Sequence, residues 1–89
     1  MKFGIQLLRN EATGEVMPAG TWLAAYDPNA NAGRGHVQLT RNPGLAKRFD
    51  SHAEAWECYH QIATNRARRP DGRPNKPLTA FTISIERLE

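Results

Sequence analysis

Apolar and polar residues alternate with period two at both ends of the chain. Phe3, Ile5 and Leu7 alternate with Gly4 and Gln6, which predicts a strand over residues 2–9 with one buried face. Phe81, Ile83 and Ile85 alternate with Thr82, Ser84 and Glu86, which predicts a last strand from about Leu78 to Leu88. Between them, Thr21 to Tyr26 reads as a second strand, with Trp22, Ala24 and Tyr26 on one face and Leu23 and Ala25 on the other. Bulk favours burying the Trp22 face. His36 to Thr40 reads as a short third strand. Asn10 to Glu15, carrying Thr13-Gly14, predicts a turn, and Pro18-Ala19-Gly20 marks a second break. Asp27 to Gly35 holds almost every turn-forming residue type and predicts a mobile surface loop.

After residue 40 the period changes. Asn42-Pro43 resembles an N-cap followed by proline at the first helical position, and Leu45, Ala46 and Phe49 would share a face of one or two helical turns ending at Asp50. Ser51-His52-Ala53-Glu54 then has the form of a capping box, in which Ser51 accepts from the Glu54 amide and the Glu54 carboxylate returns to the Ser51 amide. Ala55, Tyr59 and Ile62, flanked by Trp56 and Ala63, follow helical spacing and predict about four turns ending near Arg66. The order is βββαβ, with a short helical turn before the main helix. This predicts one α+β domain over residues 1–89: two layers, a mostly antiparallel four-stranded sheet with one long helix on one face. The other sheet face, with Lys2, Gln6, Thr82, Ser84 and Glu86, is expected to be solvated.

Composition narrows this picture. Only sixteen of the 89 residues are Leu, Ile, Val or Phe, so the core is thin and leans on alanine and the aromatic residues. Cys58 is the single cysteine, which excludes an intramolecular disulfide and a thiolate-rich zinc site and points to a reducing, cytoplasmic setting. The apolar runs are too short for a signal peptide or a membrane span, so no membrane partner is expected.

Charge is concentrated in one place. The segment from Arg66 to Pro77 carries five cations and one acid, net +4, whereas the whole chain is +3 and the remaining residues sum to −1. Arg66, Arg68, Arg69, Arg73 and Lys76, with Arg34 as a sixth, are the candidate phosphate contacts of a nucleic-acid-binding surface. The competing reading is a proline-stiffened connector whose arginines complement the negative end of the preceding helix. The segment contains no aromatic residue on which a base could stack.

Other motifs carry less. Gly33-Arg34-Gly35 lacks the Lys and Ser/Thr of a phosphate-binding loop and precedes a strand rather than a helix. His36, His52 and His60 have no metal-chelating spacing, so no metal or other cofactor is expected. Asp50-Ser51-His52 holds the residue types of a catalytic triad, but sequence neighbours do not converge on one atom. Cys58 has no matched base and reads as a small half-buried side chain. Paired carboxylates are also missing, so the chain reads as a non-enzyme with no catalytic residues.

Trp22-Leu23-Ala24-Ala25-Tyr26-Asp27-Pro28, the Gly33-Arg34-Gly35 loop and the run from Ala46 to Ala55 together resemble small uncharacterised phage or prophage proteins of bacteria. The resemblance implies a bacterial cytoplasm and a prophage origin, and brings no functional residues with it. Two functions follow as expectations: a non-enzymatic protein-interaction module that self-associates or binds a protein partner, and, alternatively, a nucleic-acid-binding accessory using the basic loop.

Overall fold

The computed structural model describes residues 1–65 and 67–88. Its architecture is α+β, with one antiparallel sheet of five strands: β1 (Phe3–Asn10), β2 (Glu15–Val16), β3 (Trp22–Asp27), β4 (His36–Thr40) and β5 (Phe81–Arg87). The strand from the start of the chain lies in the middle. β5 runs along β1 from Phe3↔Arg87 to Asn10↔Phe81. A strand has only two edges, so β2 and β3 share the other, β2 against Arg9 and Asn10 and β3 through Gln6↔Trp22. β4 lies outside β3. The fifth strand, absent from the predicted four, is β2. The Thr13-Gly14 turn folds two residues back onto β1, too few to leave a periodic signal.

Two bulges decide which side chains reach the core. Between Leu23↔Leu39 and Ala25↔Gln38 the β3–β4 register shifts, leaving Ala24 as an extra residue. The alternation inverts there. Leu23 and Tyr26 therefore both join the helix-side cluster, which also contains Ile5, Leu7, Phe49, Ala55 and Leu78. Trp22, predicted to share a face with Tyr26, instead lies on the opposite side of the sheet over Gly4. A Cβ at Gly4 would come within 2.8 Å of Leu88 and 2.9 Å of the indole, so only glycine lets the ring lie this close to β1. With Trp22 7 % exposed, that face is partly apolar rather than wholly solvated. The second bulge, between Leu7 and Arg9, leaves Leu8 exposed.

Among the described residues only one helix has regular length, α2 (His52–Tyr59), and its eight residues make about two turns instead of the predicted four. Its start follows half of the expected capping box. Ser51 Oγ accepts from the Glu54 amide at 3.2 Å, while Glu54 Oε2 accepts from the Asp50 amide at 2.9 Å rather than from Ser51. Ala55 is buried against the sheet, and the Tyr59 hydroxyl donates to the Phe81 carbonyl at 2.6 Å. The helix stops because its continuation has a better partner elsewhere. The Ala63 amide donates to the Asn75 carbonyl at 3.0 Å and Ala63 is fully buried, so tertiary pairing overrides helical propensity. Ile62, the next position in the helical spacing, is left 40 % exposed.

The stretch before α2 is also less helical than its spacing implies. Asn42 Oδ1 caps the Gly44 amide at 2.9 Å, but only a single 3-10 turn, Pro43–Leu45, follows. Ala46 then turns extended, Leu45 is exposed, and Phe49 pairs with Phe3 through two backbone hydrogen bonds of 2.9 Å. Phe49 thus reaches the core from a strand-like position. Among the described residues, no helix is long and apolar enough to cross a membrane.

Candidate functional site

Two loops meet beside β3 and the start of β5. The first spans Asp27 to Gly35. Asp27 Oδ1 accepts from the Asn29 amide at 2.9 Å and opens the turn. A short helical segment, α1 (Ala30–Gly33), follows, in which Asn31 and Ala32 have φ of 54° and 58°. A left-handed alanine is costly, on the order of 1–2 kcal/mol. The conformation is held by the Gly35 amide donating to the Ala30 carbonyl at 2.9 Å and the Arg34 amide to the Asn31 carbonyl at 3.2 Å. The Arg34 and Gly35 amides are thereby engaged within the loop itself.

The second loop contains the basic segment, which folds rather than running as a structureless connector. Arg68 and Pro74 form an antiparallel bridge. The Gly72 amide donates to the Arg69 carbonyl at 2.9 Å, and the Arg69 amide to the Arg73 carbonyl at 2.8 Å. Gly72 has φ of 85°. This is the bonding of a tight hairpin turn closed by a left-handed glycine. Arg69-Pro70-Asp71-Gly72-Arg73 carries the turn signature of proline, aspartate and glycine in series, so this hairpin could have been found in the sequence.

Asparagine side chains lock the loops together. Asn29 Oδ1 accepts from the Thr64 amide at 2.7 Å, the Thr64 hydroxyl at 3.1 Å and the Asn65 amide at 3.1 Å. The Asn65 side-chain amide returns to the Asn29 carbonyl at 2.9 Å. The buried Asn75 donates from Nδ2 to the Gly33 carbonyl at 2.5 Å, and its own amide donates to the Ala67 carbonyl at 2.9 Å. Below them the Leu78 amide donates to the Tyr26 hydroxyl at 3.1 Å. The segment predicted as a mobile loop is therefore docked. Sequence reasoning missed Asn29 and Asn75, because asparagine in a Gly- and Pro-rich stretch signals only a turn.

This docking creates a pocket of about 290 Å³ lined by Gly33, Arg34, Arg68, Arg69, Pro70 and Asn75. Three of the six predicted contact residues, Arg34, Arg68 and Arg69, meet there, although Arg34 comes from a separate loop. Among the described residues, the lining includes no acidic side chain. Arg68 Nη1 donates to the Gly72 carbonyl at 2.9 Å, which orients its guanidinium and leaves its other N–H groups. The side chains of Arg34 and Arg69 form no hydrogen bond or ion pair with the described residues. Arg73, 81 % exposed, lies 3.9 Å from Asp71, and Lys76 precedes the 3-10 turn Pro77–Ala80; neither lines the pocket. Arg66 lies outside the described residues.

The remaining chemical candidates are dispersed. Asp50 is engaged by Lys2, which holds its carboxyl below the usual range through a hydrogen bond and charge attraction. Ser51 caps α2, and the His52 ring rests edge-on against Phe3 with centroids 4.5 Å apart, so the three do not converge. Burial pushes the Cys58 thiol up, away from the reactive thiolate. No group of three or more His, Cys, Asp or Glu residues that could hold a metal forms among the described residues. Trp56, by contrast, is 53 % exposed, with the His60 ring 4.6 Å and the Tyr59 ring 5.6 Å away. Comparison with known proteins finds no matching family, no matching curated relative and no matching solved structure.

Proposed function

We propose that this chain is a non-enzymatic nucleic-acid-binding accessory whose paired loops contact phosphate. One observation carries the reading: Arg34, Arg68 and Arg69 line one pocket whose wall, among the described residues, holds no acid. Guanidinium groups unneutralised by carboxylates raise the local positive potential and offer forked donors matched to phosphate oxygens. Arg73 and Lys76, on the same segment, extend the basic surface. Titrating labelled duplex and single-stranded oligonucleotides at several salt concentrations tests this. Three to five phosphate contacts correspond to a duplex log-log salt slope of about −2.7 to −4.5. A variant carrying Arg34→Ser, Arg68→Ser and Arg69→Ser, with an unchanged circular dichroism spectrum, should lower both affinity and slope. Lack of binding at low salt, or a slope unmoved by the substitutions, refutes the reading.

Exposed Trp56 and Ile62 favour a second reading, a protein-interaction module that self-associates through the exit of α2. Both side chains are large and apolar, and β4 at the sheet margin pairs only with β3 among the described strands. Sedimentation over a wide concentration range checks it. Concentration-dependent size abolished by Trp56→Ser supports this reading, and a monomer throughout rejects it.

A further inference from the structure

The shape of the basic pocket bears on which phosphate it suits. A surface that tracks the middle of a nucleic-acid strand needs cations in a row, with the strand leaving freely on both sides. Here the cations converge instead. Arg34 approaches from the Asp27–Gly35 loop, Arg68 and Arg69 from the hairpin, and Pro70 and Gly33 complete the wall of one concavity of about 290 Å³.

An internal phosphodiester carries one negative charge and presents two non-bridging oxygens. A terminal phosphomonoester carries close to two charges at neutral pH and presents three. Three arginines from two directions match the second better than the first, because each planar fork can engage an oxygen edge and the charges are closer to balance. We propose that the pocket is a terminal-phosphate site, which seats the phosphorylated end of a nucleic-acid strand. This rests on the reading of the loop pair as a phosphate-binding surface and narrows it to one class of group. The strand would leave toward the exposed hairpin cations, of which Arg73 is one.

The test compares 5′-phosphorylated and 5′-hydroxyl forms of one short single-stranded oligonucleotide, labelled at its 3′ end, by fluorescence anisotropy with the full chain. The phosphorylated form should bind about tenfold more tightly, the equivalent of one charge-assisted hydrogen bond at the weak end of its range. Arg34→Gln should abolish that preference. Its side chain has no partner among the described residues, and an unchanged unfolding midpoint verifies the fold. Arg73→Gln, outside the pocket, should weaken both strands alike and leave the preference intact. Equal affinity for the two strands, with salt-sensitive binding retained, overturns the terminal-phosphate site while leaving the broader nucleic-acid reading in place. Persistence of the preference in Arg34→Gln overturns it as well. Competition by inorganic phosphate at the concentrations at which the phosphorylated strand competes overturns the assignment to a strand end. Absence of binding to either strand at low salt removes both readings together.

Discussion

Removing the Asn29 side chain should loosen the loop pair that forms the pocket. Asn29 Oδ1 takes three donors, from Thr64 and Asn65, at 2.7–3.1 Å. A carbonyl oxygen has two lone pairs, so the contacts amount to about two full hydrogen bonds. At about 1 kcal/mol net each, Asn29→Ala should cost about 2 kcal/mol. The donors are exposed and water can replace the lost acceptor, so no buried-donor penalty adds to this. In a domain of this size the loss corresponds to a fall in Tm of about 8–16 °C. Asn29→Asp supplies the control, because it keeps the acceptor and strengthens it with charge. Repulsion from Asp27, whose carboxylate accepts from the residue 29 amide, offsets part of that gain, so this variant should stay within about 1 kcal/mol of wild type. Urea unfolding gives the global figure, and hydrogen exchange at the Thr64 and Asn65 amides separates loop opening from global unfolding. The reasoning fails if Asn29→Ala lies within about 0.5 kcal/mol of wild type with unchanged exchange. It fails equally if Asn29→Asp is as damaging as the alanine.

A pair of glycine substitutions tests the docking from the other side. Gly35 and Gly72 share a φ of 85°, but a Cβ at Gly35 would lie 2.6 Å from Pro77, whereas at Gly72 it would meet open space. Gly72→Ala should therefore cost about 1–2 kcal/mol of backbone strain and Gly35→Ala clearly more, as read by urea midpoints; equal losses would refute the Gly35–Pro77 contact. Stability should also fall in alkali. Burial raises the Cys58 thiol above its ordinary 9.0 and the Tyr26 and Tyr59 phenols above their ordinary 10.0. Groups raised on folding contribute fully below their unfolded pKa and lose that contribution as pH rises through the folded one. The unfolding midpoint should thus decline from about pH 9 upward, and Tyr26→Phe should flatten the part above pH 10; a midpoint constant to pH 11 would contradict the assignment.

Much of the local structure can be read directly from the residues. The alternation at Phe3, Ile5 and Leu7 and at Phe81, Ile83 and Ile85 specifies two strands, and of these residues Ile5 and Leu7 lie in the core with Phe81, Ile83 and Ile85 packed against it. Ser51 and Glu54 fix the start of α2 within a residue, and the charge count isolates the segment that contributes Arg68 and Arg69 to the pocket. The proline, aspartate and glycine at 70–72 even specify a turn within that segment. Each of these features depends on contacts within a few residues, or on a periodicity that every residue of an element repeats.

What the sequence leaves open depends on residues far apart. The bulge at Ala24 reverses the faces of Trp22 and Tyr26 because β4 pairs in a register that no local pattern encodes. α2 ends at Tyr59 because Asn75, well along the chain, captures the Ala63 amide that a longer helix would have used. The pocket itself is the clearest case. Arg34 belongs to a loop that nothing nearby ties to the basic hairpin, and it meets Arg68 and Arg69 only because Asn29 and Asn75 bond across the gap. The sequence alone determined four of the five strands, the helix start and the place of the charge, since short-range sterics, capping and hydrophobic period act within one element. Tertiary structure alone decided the register, the helix end and the convergence of arginines, since each is set by long-range hydrogen bonds whose partners become neighbours only on folding.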